Sequence, residues 1–197
     1  MRTKKFSGIG LRIIFSILFL LGITSCQQND IDDDPCFNMF NTTLTSSDNT
    51  YEILSDVCNE TPSGGCSIIN DVAMLQIENL PKNSSLVVSD AMDVVITKYE
   101  VYYERRDEGT LVPPPLSFPV TWWISIGGVA TFDFSIVTHE QKLLPPLSDL
   151  REEGYDRETG NFTIETVAHV ILSGHTRAGC KIVIEVVIPI KFADFAE

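Results

Sequence analysis

The chain has 197 residues, 27 of them acidic and 14 basic, for a formal net charge of −13 with histidine neutral. A surface this acidic repels phosphate backbones and anionic headgroups, and no stripe of lysine or arginine offsets it, so nucleic acid is excluded as a partner. The length suits one domain with a proper core, and hydrophobic residues, 44% of the chain, can fill it.

At the N-terminus, Arg2, Lys4, Lys5 and Arg12 lead into an apolar stretch over residues 13–23, interrupted only by Ser16 and Gly22. A stretch of that size fits a signal-peptide core and falls short of the ~20 apolar residues that span a bilayer. It closes on Leu21-Gly22-Ile23-Thr24-Ser25-Cys26, which resembles the lipobox of bacterial lipoproteins. The resemblance implies export, diacylation of the Cys26 thiol, and removal of residues 1–25 as a lipoprotein signal peptide. An ordinary secretory signal that happens to precede a cysteine is the plainer alternative. Losing residues 1–25 would take the net charge from −13 to −17. One acyl chain binds a membrane marginally, at ~0.8 kcal/mol per buried methylene, and stable attachment takes two or more. A mature lipoprotein carries three, so the resemblance implies a lipid bilayer as partner, held through acyl chains on Cys26.

Residues 26–35 follow as an acidic tether, with Asp30, Asp32, Asp33 and Asp34 closed by Pro35. Such a run cannot bury apolar surface and is expected to be disordered. It also resembles the acidic signal that sends some Gram-negative lipoproteins to the outer face of the outer membrane. Gln27 lacks the aspartate that typically retains enteric lipoproteins at the inner membrane. The expectation is therefore an outer-membrane, lipid-anchored protein, with the cell surface favoured over the periplasmic face. Calcium ligation by the aspartates is the weaker reading, since the run lacks the glycine and distal glutamate of an EF-hand loop.

Beyond Cys26 the cysteines are Cys36, Cys58, Cys66 and Cys180. An even number in an exported chain reads as two disulfides, with three pairings open. Cys58 and Cys66 flank a turn-rich loop that a local bridge would clip. Cys36 would then pair with Cys180, and closing a loop that long contributes about 4–5 kcal/mol in the chain-entropy model before strain is subtracted. Zinc competes as a reading, but the His and Cys spacings match no usual site, and no metal or cofactor is expected.

Residues 36–197 read as one domain of strands. Residues 72–77 are apolar and run on toward Pro81. Residues 94–104 alternate, with Ile96, Lys98, Glu100, Tyr102 and Glu104 on one face and Val95, Thr97, Tyr99, Val101 and Tyr103 on the other. Val112-Pro113-Pro114-Pro115 should be a stiff connector outside any sheet centre. Residues 118–126 form a further strand, with Gly127-Gly128 as a hairpin turn into residues 129–137. The best helix candidate covers residues 146–153, capped by Ser148 and ended by Gly154. Phe162, Ile164, Thr166, Ala168, Val170 and Leu172 should line one face of a strand, and residues 181–192 complete the set. This spacing predicts an all-β fold, an antiparallel β-sandwich of the immunoglobulin or fibronectin type III kind. Tyr99-Glu100-Val101-Tyr102-Tyr103 resembles a central strand of the latter.

From Tyr99 onward the chain also resembles a family of uncharacterised bacterial lipoprotein domains. The likeness rests on Val101-Tyr102-Tyr103-Glu104-Arg105, the proline-led segment before Trp122, His139-Glu140-Gln141-Lys142 with Pro146-Leu147, and the closing Gly179-Cys180 strand with Phe192-Ala193-Asp194-Phe195. It implies a domain and brings no activity.

No catalytic constellation stands out. There is no Gly-x-Ser-x-Gly elbow, no His-Glu-x-x-His and no glycine-rich phosphate loop, so His139, His169 and His175 read as structural or exposed. Asp30 with Asp32, and Glu152 with Glu153, give no sign of facing a shared substrate. The tryptophan pair Trp122-Trp123 is more informative, because neighbours in a strand point to opposite faces. Trp122 shares its face with Ile124 and Ile126, whereas Trp123 goes with Thr121 and Ser125 and should be the outer ring. Plain packing would account for it; a stacking platform for a glycan or protein ligand is the functional reading. A binding surface is therefore sought at Trp123, with His175 and Arg177. The expectation is a non-enzymatic surface lipoprotein acting as a binding, adhesion or accessory module. A secreted glycan-acting hydrolase and a purely structural envelope protein are the alternatives.

Overall fold

Alternation of apolar and polar residues sets most of the architecture. A computed structural model describes residues 42–47 (backbone only), 52–81 and 89–195, and these form an all-β fold with little helix. The expected signal peptide, the tether and Cys36 lie outside the described residues. The strands are β1 (Thr42–Ser47), β2 (Ile53–Asp56), β3 (Asn59–Glu60), β4 (Cys66–Ser67), β5 (Asp71–Pro81), β6 (Val94–Arg105), β7 (Leu116–Ile124), β8 (Val129–Val137), β9 (Thr163–Thr176) and β10 (Lys181–Ala193). A 3-10 turn covers Asp90–Met92, and two short helices, α1 (His139–Lys142) and α2 (Leu147–Glu153), follow β8.

Two sheets carry the fold, one in the order β1-β5-β8 and the other in the order β2-β10-β9-β6-β7. β5 shows why they pack together. Ala73, Leu75 and Ile77 are buried, while Val72 and Met74 between them stand out at 60% and 62% exposure. The inward set meets Ile96, Val101, Leu172 and Ile188 of the larger sheet in a single hydrophobic cluster. Trp122 lies against that cluster, stacked on Phe132 of β8 at 4.6 Å and on Tyr99 at 5.8 Å between ring centroids. The expected split of the tryptophan pair holds: Trp122 faces in, and Trp123 is 47% exposed.

Several expectations are corrected. Gly127-Gly128 makes a turn but not a hairpin, because β7 pairs with β6 and β8 pairs with β5. The turn instead carries the chain from one sheet to the other. It docks on β5, where Gly127 donates to the Asn79 carbonyl at 2.6 Å and Asn79 N–H donates to the Gly128 carbonyl at 3.0 Å. The strands are not all antiparallel, since β2 runs parallel to the end of β10.

β6 does not keep one alternation. A bulge between Ile96 and Lys98 inserts Thr97, so Val94 and Ile96 share the buried side with Tyr99, Val101 and Tyr103, and Val95 turns outward. Ser148 does not cap α2. The capping position falls on Pro146, without a side-chain hydrogen bond, and Ser148 is buried inside the helix. Gly154 does end it, in the left-handed region at φ 76°. Phe162 precedes β9 and is 76% exposed, while Ile164, Thr166, Ala168, Val170 and Leu172 do line its inner face.

The Cys58–Cys66 disulfide clips the β3–β4 hairpin as expected. Cys180 is buried and disulfide-bonded, and its expected partner Cys36 lies outside the described residues. Among the described residues, no helix is long and apolar enough to cross a membrane.

Candidate binding surface

The outer face of the larger sheet gathers the three residues singled out from sequence. Val95 of β6 lies opposite Trp123 of β7 on one side and opposite His175 of β9 on the other. His175 in turn lies opposite Lys181 of β10. One row across four strands therefore reads Trp123, Val95, His175, Lys181. The bulge at Thr97 puts Val95 in this row, since without the extra residue its side chain would face the core.

His175 is a strand residue, next to the last of β9. Thr176 N–H donates to the Cys180 carbonyl at 2.8 Å, which keeps the ladder going past His175, and Gly179 at φ 91° closes the turn beyond it. The His175 Nδ1 donates to the Thr176 carbonyl at 3.0 Å, leaving Nε2 for another partner.

Arg177 sits in that turn and is aimed by its surroundings. Its N–H donates to the Asp93 carbonyl at 2.7 Å, and Ala178 N–H donates to the Ala91 carbonyl at 3.1 Å. These bonds pin the turn against the 3-10 turn, whose start is capped by the Ser89 hydroxyl. The Arg177 guanidinium reaches Asp90 at 2.9 Å and stands 6.0 Å from the Trp123 ring centroid. A cation over an indole at an exposed site contributes about 0.5–1 kcal/mol. Below the corner, the buried Asn79 amide donates to the Met92 and Ile124 carbonyls, each at 3.1 Å. The 3-10 turn and the end of β7 are thus tied to β5, and the site rests on a fixed frame.

The arrangement presents an indole, an imidazole, a guanidinium and an ammonium beside one carboxylate. It can stack on a flat apolar face and donate hydrogen bonds around it. It has no pair of carboxylates set for acid and base work. Among the described residues, no three His, Cys, Asp or Glu side chains are grouped to hold a metal ion.

The other titratable groups are structural in their settings. His169 faces outward between Glu185 and Glu104, with ring nitrogens at 2.7 Å and 3.3 Å from the two carboxylates. His139 is the exposed first residue of α1, behind a capping box formed by Thr138 and Gln141. Sequence reading passed over that box, although Thr-x-x-Gln is its signature. It also passed over Lys142, which is fully buried and donates to the Asp56 carbonyl at 2.7 Å and to Asp71 at 2.9 Å. Arg105 is similarly enclosed and reaches both Asp107 and Asp156. Burial alone would push those two carboxyls up, but the guanidinium hydrogen bonds hold both below the usual range. Glu152 and Glu153 end α2 at the surface, paired with Arg151 and Arg157. Cys26, Asp30 and Asp32 lie outside the described residues.

No family model and no curated protein matches the chain. Among solved structures, the chain is similar to a crystal structure of a protein from Archaeoglobus fulgidus, at 8% identity and a TM-score of 0.37, covering 79% of this chain and 97% of that one. A likeness at that level carries no argument about fold or function.

Proposed function

We propose that this is a lipoprotein held in the outer membrane through acyl chains on Cys26, displayed at the cell surface, and used as a non-enzymatic binding module. The finer architecture, an immunoglobulin- or fibronectin type III-like sandwich, belongs to the same proposal, supported by two sheets on one core. The observation that carries the binding reading is the juxtaposition of Trp123, His175 and Arg177 on one open sheet face. Two of the three come from a strand and a turn more than fifty residues from Trp123 in sequence, and a surface of scattered residues would not place them together. An exposed tryptophan with a guanidinium near its ring suits the flat face of a sugar or a protein hot spot. At this corner the Asp90 carboxylate is held by Arg177 at 2.9 Å, which suits a positioned guanidinium better than the acid–base work of the hydrolase alternative. No cofactor is proposed.

A glycan array and a panel of extracellular matrix and envelope proteins, probed with wild type and Trp123→Ala, test the reading. The expected result is a ligand whose binding drops at least about tenfold in the variant, with the melting temperature unchanged. Binding that survives both Trp123→Ala and Arg177→Ala would contradict it.

A further inference from the structure

We propose that the open edge of β10 is a self-association edge, on which two copies of this chain pair antiparallel about Val183. Among the described residues, β2 covers β10 only at residues 190–193. Residues 181–189 have β9 on one side and, among the described residues, no strand on the other.

The direction of the free groups follows from the ladder. Thr176 N–H donates to the Cys180 carbonyl, and the β9–β10 register runs unbroken from that pair. Even-numbered residues of β10 therefore turn their N–H and C=O to β9, and odd-numbered ones turn theirs to the edge. Two observations agree. Pro189, which has no N–H, falls in the odd set, and the Ala193 carbonyl accepts from Val57 N–H at 2.9 Å on the far side from β9. Among the described residues, Lys181, Val183, Glu185 and Val187 thus turn their backbone groups to an edge that no strand covers, which natural proteins rarely leave bare.

The side chains choose the occupant. In an antiparallel pairing centred on Val183, Lys181 of each copy lies opposite Glu185 of the other, and Val183 meets its own equivalent. Val183 is 55% exposed and free to do so. Ile182 and Ile184, half-buried on the inner face, then lie opposite each other across the new seam. Centring on Glu185 instead sets like charges face to face, and centring on Ile184 leaves both charges opposite valines. Only the Val183 register satisfies charge and backbone together.

Sedimentation velocity of the intact protein over a concentration series is the test, with Lys181→Glu, Glu185→Lys, the double variant and Val183→Pro. An edge strand tolerates proline where the N–H faces outward, so Val183→Pro should keep its circular dichroism and melting temperature. The expected result is a reversible wild-type dimer, weakened about tenfold by either charge reversal, restored by the double variant and lost with Val183→Pro. A dimer indifferent to all of these would use another surface and overturn the proposal. So would a monomer at every concentration. Hydrogen exchange at the Val183 and Glu185 amides would then tell whether the chain's own residues cover the edge (slow) or leave it open to a different protein (fast).

Discussion

The imidazole of His169 sits between two carboxylates on the strands either side of its own. As an imidazolium it can donate from both nitrogens, to Glu185 at 2.7 Å and to Glu104 at 3.3 Å. The Glu185 hydrogen bond first, then Glu104 and the two negative charges, raise His169 above its ordinary value against the pull of desolvation. A folded value above the unfolded one means the clamp stabilises fully below the unfolded value of ~6.5, and the gain is lost as pH rises through the folded value. His169→Gln should therefore lower the melting temperature at about pH 5.5 and have less effect at about pH 9. A deficit that is flat with pH, or larger on the alkaline side, would contradict the clamp. At this scale the sequence was legible where neighbours decide and silent where distant partners do. Trp122 and Trp123 could be sorted by the residues beside them. Lys142 could not, because the Asp56 carbonyl and Asp71 that compensate its burial lie more than seventy residues away.

Among the elements, β6 and β9 pass each other beside the bulge with no room for a side chain at Gly174. A methyl group at Gly174 would stand 2.1 Å from the Val95 carbonyl oxygen, so the absence of a side chain there is what lets Val95 and His175 share a row. Gly174→Ala should force the strands apart and cost about 1–3 kcal/mol in urea unfolding, as overpacking does. Unchanged stability would show that the strands are not held at this separation. The bulge was hidden in the sequence for a physical reason. Val94, Val95 and Ile96 are all apolar, so a change of face within the run leaves no mark on the alternation. The partners of β7 and β8 were equally hidden, since a glycine turn serves a hairpin or a change of sheet, and the choice lies with Asn79 on β5. The Cys58–Cys66 clip and the left-handed Gly154, in contrast, depend on local chain alone, and both were foreseen.

For the whole molecule, the acidic charge, the two-sheet core and the aromatic and cationic corner are what the proposed role, a domain held out from a membrane to meet a ligand, calls for. The all-β class followed from strand spacing and turn residues. The strand order did not, because pairing across the β2–β10 and β5–β8 neighbours is fixed by packing between segments far apart in sequence. The N-terminal reading rests on Cys26 and the run before it, and there one measurement reaches furthest. Intact cells expressing wild type or Cys26→Ala are fed labelled palmitate and then treated with external protease. The account predicts label on the wild type, none on Cys26→Ala, and loss of the wild-type domain to the protease. Label retained by Cys26→Ala, or a labelled domain that the protease cannot reach, would contradict a surface lipoprotein.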